Sequence, residues 1–470
     1  MATTTLTRAE IEQLDSVWRS PGFTATLIAV AAAFGSWALL LPVVPLAVLD
    51  NGGSDALAGG STGIFMATTV LTQMITPRLL RTIGYNPTMV FSAFMLGVPA
   101  LGYLLGVDLV PVLFFSALRG IGFGALTVAQ AALVAELVPV RFLGKASGIL
   151  GVFIGLSQMV FLPSGLAIAH NFGFDTIYLV AAGTALVAAL MCLRIPRLKA
   201  APKAKPRTYD HPEEKLIPTV ATWKLVTVPA LAVLTLAMGF GAVSSFLPAA
   251  VNDIDPVDGA IFGGVMLSVV GGAQMIFRYG SGVVADRRGE PGSTMFFGQI
   301  TGMLGLAVMA LVVAQGWSVW FLVLAAVLFG AGFGCVQNEA LLSMFFRLPR
   351  SKVSEASAIW NSSYDAGTGL GSFVLGIIAG KLAYQGSFGA GALIVFIGFL
   401  ATIADRIIGR HRIAEYNNMR ARLRQVPVAR KAVHSARKIR RVATTPVPVT
   451  KLLTRRPPRP GWKRREEEDV

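Results

Sequence analysis

Four charged side chains interrupt long apolar runs of this 470-residue chain: Arg119, Arg278, Glu339 and Asp365. A charge buried in an apolar run is costly, so each needs a partner or a task. Asp365 stands on a line with Ser357, Asn361, Thr368 and Ser372, which recur at steps of four, four, three and four and so share one helix face. A carboxylate on such a face can take up and release a proton as its surroundings change, which makes Asp365 the first candidate for proton coupling and Glu339 the second. Ser116, Arg119, Thr127 and Gln130 form another stripe at i, i+3, i+11 and i+14. That face is predicted to line a cavity, with Arg119 as its cation. At about 1.5 Å per residue, Arg278 lies roughly 12 Å from Asp286 and Glu339 roughly 12 Å from Arg347, so the two stand level and are predicted to form a structural ion pair. Trp37, Gln158, Asn361 and Phe240 complete the expected cavity lining, with packing as the plainer role of the aromatics.

Other chemistry is missing from the pattern. The four histidines, His170, His211, His411 and His434, are scattered without metal-ligand spacing, and no phosphate-binding loop is present. The expectation is a protein that is not an enzyme and uses no metal or cofactor. Cys192 and Cys335 lie in apolar runs and read as small core residues.

The elements that must position these residues are long apolar helices. The chain is 54% hydrophobic and 14% charged, with a mean hydropathy of +0.64, too apolar for a soluble protein of this size. Windows long enough to cross a bilayer fall near 22–49, 57–80, 88–107, 109–135, 145–168 and 174–195, then near 225–250, 258–284, 293–314, 318–345, 354–383 and 387–408. The fold predicted is an all-α membrane protein of twelve transmembrane helices. Arg78, Arg81, Arg141, Lys145, Arg287, Arg288, Arg347, Arg350 and Lys352 fall in every second loop, and the loops between carry no Lys or Arg. Both termini are therefore expected in the cytoplasm of a multi-pass plasma-membrane protein. The polar N-terminal segment and the long first apolar stretch do not read as a cleavable signal.

The chain also repeats itself. Phe34-Gly35 and Leu41-Pro42 return as Phe240-Gly241 and Leu247-Pro248; Gly120-Ile-Gly-Phe-Gly124 returns as Gly330-Ala-Gly-Phe-Gly334; Ala146-Ser147 returns as Ala356-Ser357. The expected organisation is a segment 1–21, a six-helix bundle 22–195, a basic linker 196–223, a second, parallel-repeat bundle 224–409 and a basic tail 410–470. The tail holds 18 basic against 5 acidic residues, so most of the net charge of +16 sits there. Anionic lipid is its expected partner, in preference to nucleic acid.

Gly282-Val-Val-Ala-Asp286-Arg287-Arg288-Gly289 ends a helix in a charged, glycine-bounded turn. It resembles the G-x-L-A-D-R-x-G motif of the major facilitator superfamily. Arg119 before its glycine series resembles the family's fourth-helix motif, and Asn361 to Gly371 resembles helix 11 of bacterial twelve-helix efflux members. The resemblance covers nearly all of residues 20–410. It implies that Asp286 and Arg287 form a cytoplasmic gate, bounded by Gly282 and Gly289. The first copy, Pro77 to Gly84, places Arg81 where the family has its Asp, so either Arg81 seeks an acid or a lipid phosphate or the gate rests on the second half alone. The family's fifth-helix antiporter signature is reduced to Gly148, Gly151, Gly155 and Leu162-Pro163-Ser164-Gly165.

These readings converge on a bacterial secondary transporter, working as a monomer by alternating access, that exports an amphipathic drug-like compound or metabolite against protons. Uptake or facilitated passage of a small polar or anionic solute held by Arg119 is the alternative. A non-transporting receptor or scaffold is a minor one.

Overall fold

The structure, a computed structural model, describes residues 8–198, 221–254, 259–289 and 291–408. The expectations for most of the linker and for the tail, including its lipid contact and His211, His411 and His434, fall outside the described residues. All regular structure among the described residues is helical. The helices are α1 (Arg8–Glu12), α2 (Phe23–Leu40), α3 (Val43–Asp50), α4 (Asp55–Thr82), α5 (Tyr85–Gly97), α6 (Leu109–Leu137), α7 (Leu143–Phe172) and α8 (Phe174–Cys192). After the linker come α9 (Thr222–Ile254), α10 (Gly259–Arg288), α11 (Met295–Gln315), α12 (Trp320–Arg347) and α13 (Val353–Ile408).

Among the described residues, nine helical stretches are long and apolar enough to cross a membrane. α4 and α10 are as long, at 28 and 30 residues, but richer in polar residues. α13 runs for 56 residues with a kink at Leu382 and Ala383, where the expected spans 354–383 and 387–408 part. Proline shapes the copies differently: Pro42 separates α2 from α3, whereas its repeat partner Pro248 is carried inside α9. Gly84 and Gly289 close the two matched turns at φ 95 and φ 63, a region that side chains with a Cβ rarely enter.

Packing follows the repeat. α6 lies on α4 and α5, and α12 lies on α10 and α11. The duplicated glycines make this possible. A Cβ at Gly120 or Gly124 would fall 2.3 Å from the carbonyl oxygen of Phe65 or Thr69 on α4. At Gly330 and Gly334 the same addition meets Val270 at 2.3 Å and Gln274 at 2.2 Å on α10. Helices from before and after the linker touch crosswise: α7 on α10, and α4 and α6 on α13.

Candidate functional site

The polar face of α13 carries the central contact. Asp365 Oδ2 accepts a hydrogen bond from Gln73 Nε2 on α4 at 2.6 Å. Gln73 is fully buried; its Nε2 also reaches Thr127 Oγ1 at 3.2 Å, and its Oε1 accepts from Ser362 Oγ at 3.1 Å. One turn nearer the basic end, Asn361 Nδ2 donates to the Thr127 carbonyl at 3.2 Å, and Ser357 Oγ donates to the Val128 carbonyl at 2.8 Å. The line drawn from spacing therefore divides. Ser357, Asn361 and Asp365 reach across to α4 and α6, while Thr368 bonds Tyr364 O and Ser372 bonds Gly241 O within the second half. Gln73 is the residue that spacing arguments passed over. Its signal lay in Thr69, Thr72, Gln73 and Thr76, one polar helix face of an otherwise apolar segment.

Arg119 is buried inside the first half. Its Nε donates to Leu96 O at 3.2 Å and Nη2 to Ser36 O at 3.3 Å, and its guanidinium lies over the rings of Phe65 and Tyr103. Carbonyl dipoles and ring faces thus hold the cation, with no acid paired to it among the described residues. It borders a crevice of about 20 Å³ shared with Trp37, Ser61 and Ser116, room for a single water. Trp37 stacks on Phe123 at 5.0 Å, and Phe240 stacks on Phe333 at 5.1 Å. Gln130 is buried with its Oε1 unpartnered, and Gln158 is half-buried on α7.

The pairing expected of Arg278 and Glu339 is not formed. Arg278 Nη1 donates to Gln337 Oε1 at 3.0 Å, and Glu339 accepts from Gly292 N and from Thr294 Oγ1 at 2.7 Å. Equal height along two helices leaves the direction around them open. Gln337 and Glu339 sit two residues apart on α12, roughly 200° around the axis, so only one of them can face α10.

At the basic end, Asp286 accepts hydrogen bonds from the backbone N–H groups of Gly144 and Lys145, each at 2.7 Å. A carboxylate thus caps the first turn of α7, where the free amides and the helix dipole favour it. The close approach explains Gly282, whose Cβ would fall 2.1 Å from Gly144 O. Arg287 is exposed. Asp286 lies beyond the expected span 258–284; burial pushes its carboxyl up to about 6, against the pull of the two amides. In the first copy, Arg81 meets Glu355 at 3.2 Å, and Glu355 holds the repeat position of Lys145. The contact is kept with its charges exchanged: acid on α10 facing the basic start of α7, base on α4 facing the acidic start of α13. Arg350 and Glu136 add a third tie between the halves.

Two repeated sets of packed apolar helices, tied to each other by polar contacts at one end and by a half-buried carboxylate near the middle, have the make-up of a protein that lies in a membrane. The chain belongs to the Major Facilitator Superfamily, whose sequence profile matches residues 26–345. Membership in that family and its long apolar helices make it a multi-pass membrane protein. The structure is similar to that of the human organic anion transporter MFSD10 (TETRAN), with TM-score 0.65 and 15% identity over 81% of this chain and 98% of that one. It is similar also to the Escherichia coli fucose:proton symporter FucP, with TM-score 0.65 and 14% identity over 82% and 97%. Among curated sequences it resembles an uncharacterized MFS-type transporter of Mycobacterium tuberculosis, found in two strains, at 28% identity over 155 residues. That match spans 33% of this chain and 22% of the relative's length.

Proposed function

We propose that this transporter exports an amphipathic compound in exchange for protons, by rocking of bundle 22–195 against bundle 224–409 in a bacterial plasma membrane. Asp365 is the proton site. The observation that supports this is the bond from Gln73 to Asp365, because it joins the halves at the one carboxylate of the central polar line. Ionised, Asp365 is the strongest acceptor available to Gln73; protonated, it becomes a weaker one. Proton occupancy is thereby linked to whether the halves are closed. Glu339, fastened to Gly292 and Thr294 away from the interface, takes a positioning role in this reading. With twelve spans and both termini cytoplasmic, the Asp286, Arg81 and Arg350 ties form the cytoplasmic seal. The uptake alternative calls for an exposed cation at Arg119, whose guanidinium is spent on two carbonyls and two ring faces.

The test is untargeted profiling of compounds inside and outside cells expressing the intact protein, Asp365→Asn, or neither. A compound depleted inside only with the intact protein supports proton-linked export. Equal depletion with Asp365→Asn removes Asp365 from the coupling, and enrichment inside reverses the direction.

A further inference from the structure

The second half contains a cation with no acid beside it. Arg278 is 7% exposed, and among the described residues it has no carboxylate partner. Its guanidinium donates to Gln337 Oε1 at 3.0 Å, and its Nε–H has no acceptor among the described residues. Gln337 is fully buried; its oxygen is taken by Arg278 and by Gln274 Nε2 at 3.2 Å, which leaves its own Nε2 without an acceptor. A guanidinium and an amide therefore hold unspent donors in an apolar interior, where an unmade hydrogen bond to a charged group is expensive. One singly charged, two-oxygen acceptor satisfies both the donors and the charge.

Aromatic rings begin at the same place. Arg278 lies 5.6 Å from the ring of Trp360, which Gln337 O fixes by accepting from Trp360 Nε1 at 3.0 Å. Trp360 stacks on Tyr364 at 5.6 Å and 18°, Tyr364 on Phe333 at 5.8 Å and 10°, and Phe333 on Phe240 at 5.1 Å and 26°. The ladder leads from the cation through the fully buried Phe333 to Phe240, which is half-buried. α7 forms the lid: a Cβ at Gly151 would fall 2.3 Å from Arg278 Nε, so the bare glycine backbone lies directly on the guanidinium. Because α7 belongs to the opposite bundle, parting of the bundles lifts Gly151 away and uncovers the donors.

We propose that Arg278 and Gln337 form a recognition site for a carboxylate on a planar aromatic compound, whose ring enters beside Trp360, at the cation's end of the ladder, once α7 withdraws. A phosphate dianion would leave one negative charge unmatched there, so the acceptor is the carboxylate. The inference rests on alternating access and names the substrate class.

Equilibrium dialysis of the full-length protein in nanodiscs against 2-naphthoate and its uncharged analogue 2-naphthamide tests it. The naphthoate is expected to bind saturably and at least tenfold tighter than the amide. Arg278→Gln should weaken naphthoate at least tenfold and erase the preference, while Arg278→Lys keeps the preference at reduced affinity. Equal binding of acid and amide to the unaltered protein overturns the proposal, as does the absence of saturable naphthoate binding, or undiminished binding to a folded Arg278→Gln. The assay needs no gradient, so the two readings fail separately. Binding without proton-driven movement sinks proton-linked export, and movement without carboxylate preference sinks this site.

Discussion

Gln73 gives Asp365 an amide partner instead of a guanidinium, and this choice shapes what substitution should do. Asp365→Asn keeps an acceptor for Gln73, so thermal unfolding should shift little while transport driven by a pH gradient is lost. Gln73→Ala leaves the Asp365 carboxylate, the Thr127 hydroxyl and the Ser362 hydroxyl without their shared partner, at a cost of about 1–3 kcal/mol. Labelling of a cysteine placed in α4 near Thr76 should then rise. Asp286 invites a test against intuition. Its carboxyl sits at about 6 in the sealed state, above the ordinary aspartate range, so the sealed state binds the proton more readily than a state that exposes Asp286 to water. Acidification from pH 7 toward 4 should therefore favour closure of the basic end, even though Asp286 accepts two hydrogen bonds there. Distance measurements between labels on the first turns of α7 and α11 would show this, and Asp286→Asn should flatten the response. A seal that opens on acidification would refute it.

At the level of helices, the repeat-related contacts predict paired outcomes. Gly124→Ala and Gly334→Ala each force a methyl against a carbonyl of a neighbouring helix, so each should lower the unfolding temperature, at about 1–3 kcal/mol. Arg81→Glu sets two carboxylates against each other at the start of α13. It should open the basic end several-fold by cysteine labelling, and Glu355→Arg in the same chain should restore closure, since the coupling of a partly buried pair is of order 1 kcal/mol. The helices and their duplication were legible because hydropathy and spacing are one-dimensional signals. The Gly84 and Gly289 turns and the glycine series on α6 and α12 stand where those signals place them. The partners of the charges were not legible. Height along a helix can be counted from residue numbers, which put Arg278 level with Glu339, but rotation depends on how neighbours pack, and it turned Gln337 toward Arg278 instead. Gln73 was missed for a related reason: on its own helix it is one polar residue among threonines, and its role exists only once α13 lies against α4.

Across the whole molecule, the cross-half hydrogen bonds run from Asp286, Arg81 and Arg350 at the basic end up to Asp365. The exchange of charge between the two repeat-related contacts has a consequence for how such a chain assembles. Two copies of the first half, brought together as the repeat would allow, would set Arg81 against Lys145 at the amide-rich start of α7; two copies of the second would set Asp286 against Glu355. Both false pairings repel, and only unlike halves attract. The exchanged charges therefore act as a key against mispairing, so that halves expressed as separate chains should find each other and refuse their own kind.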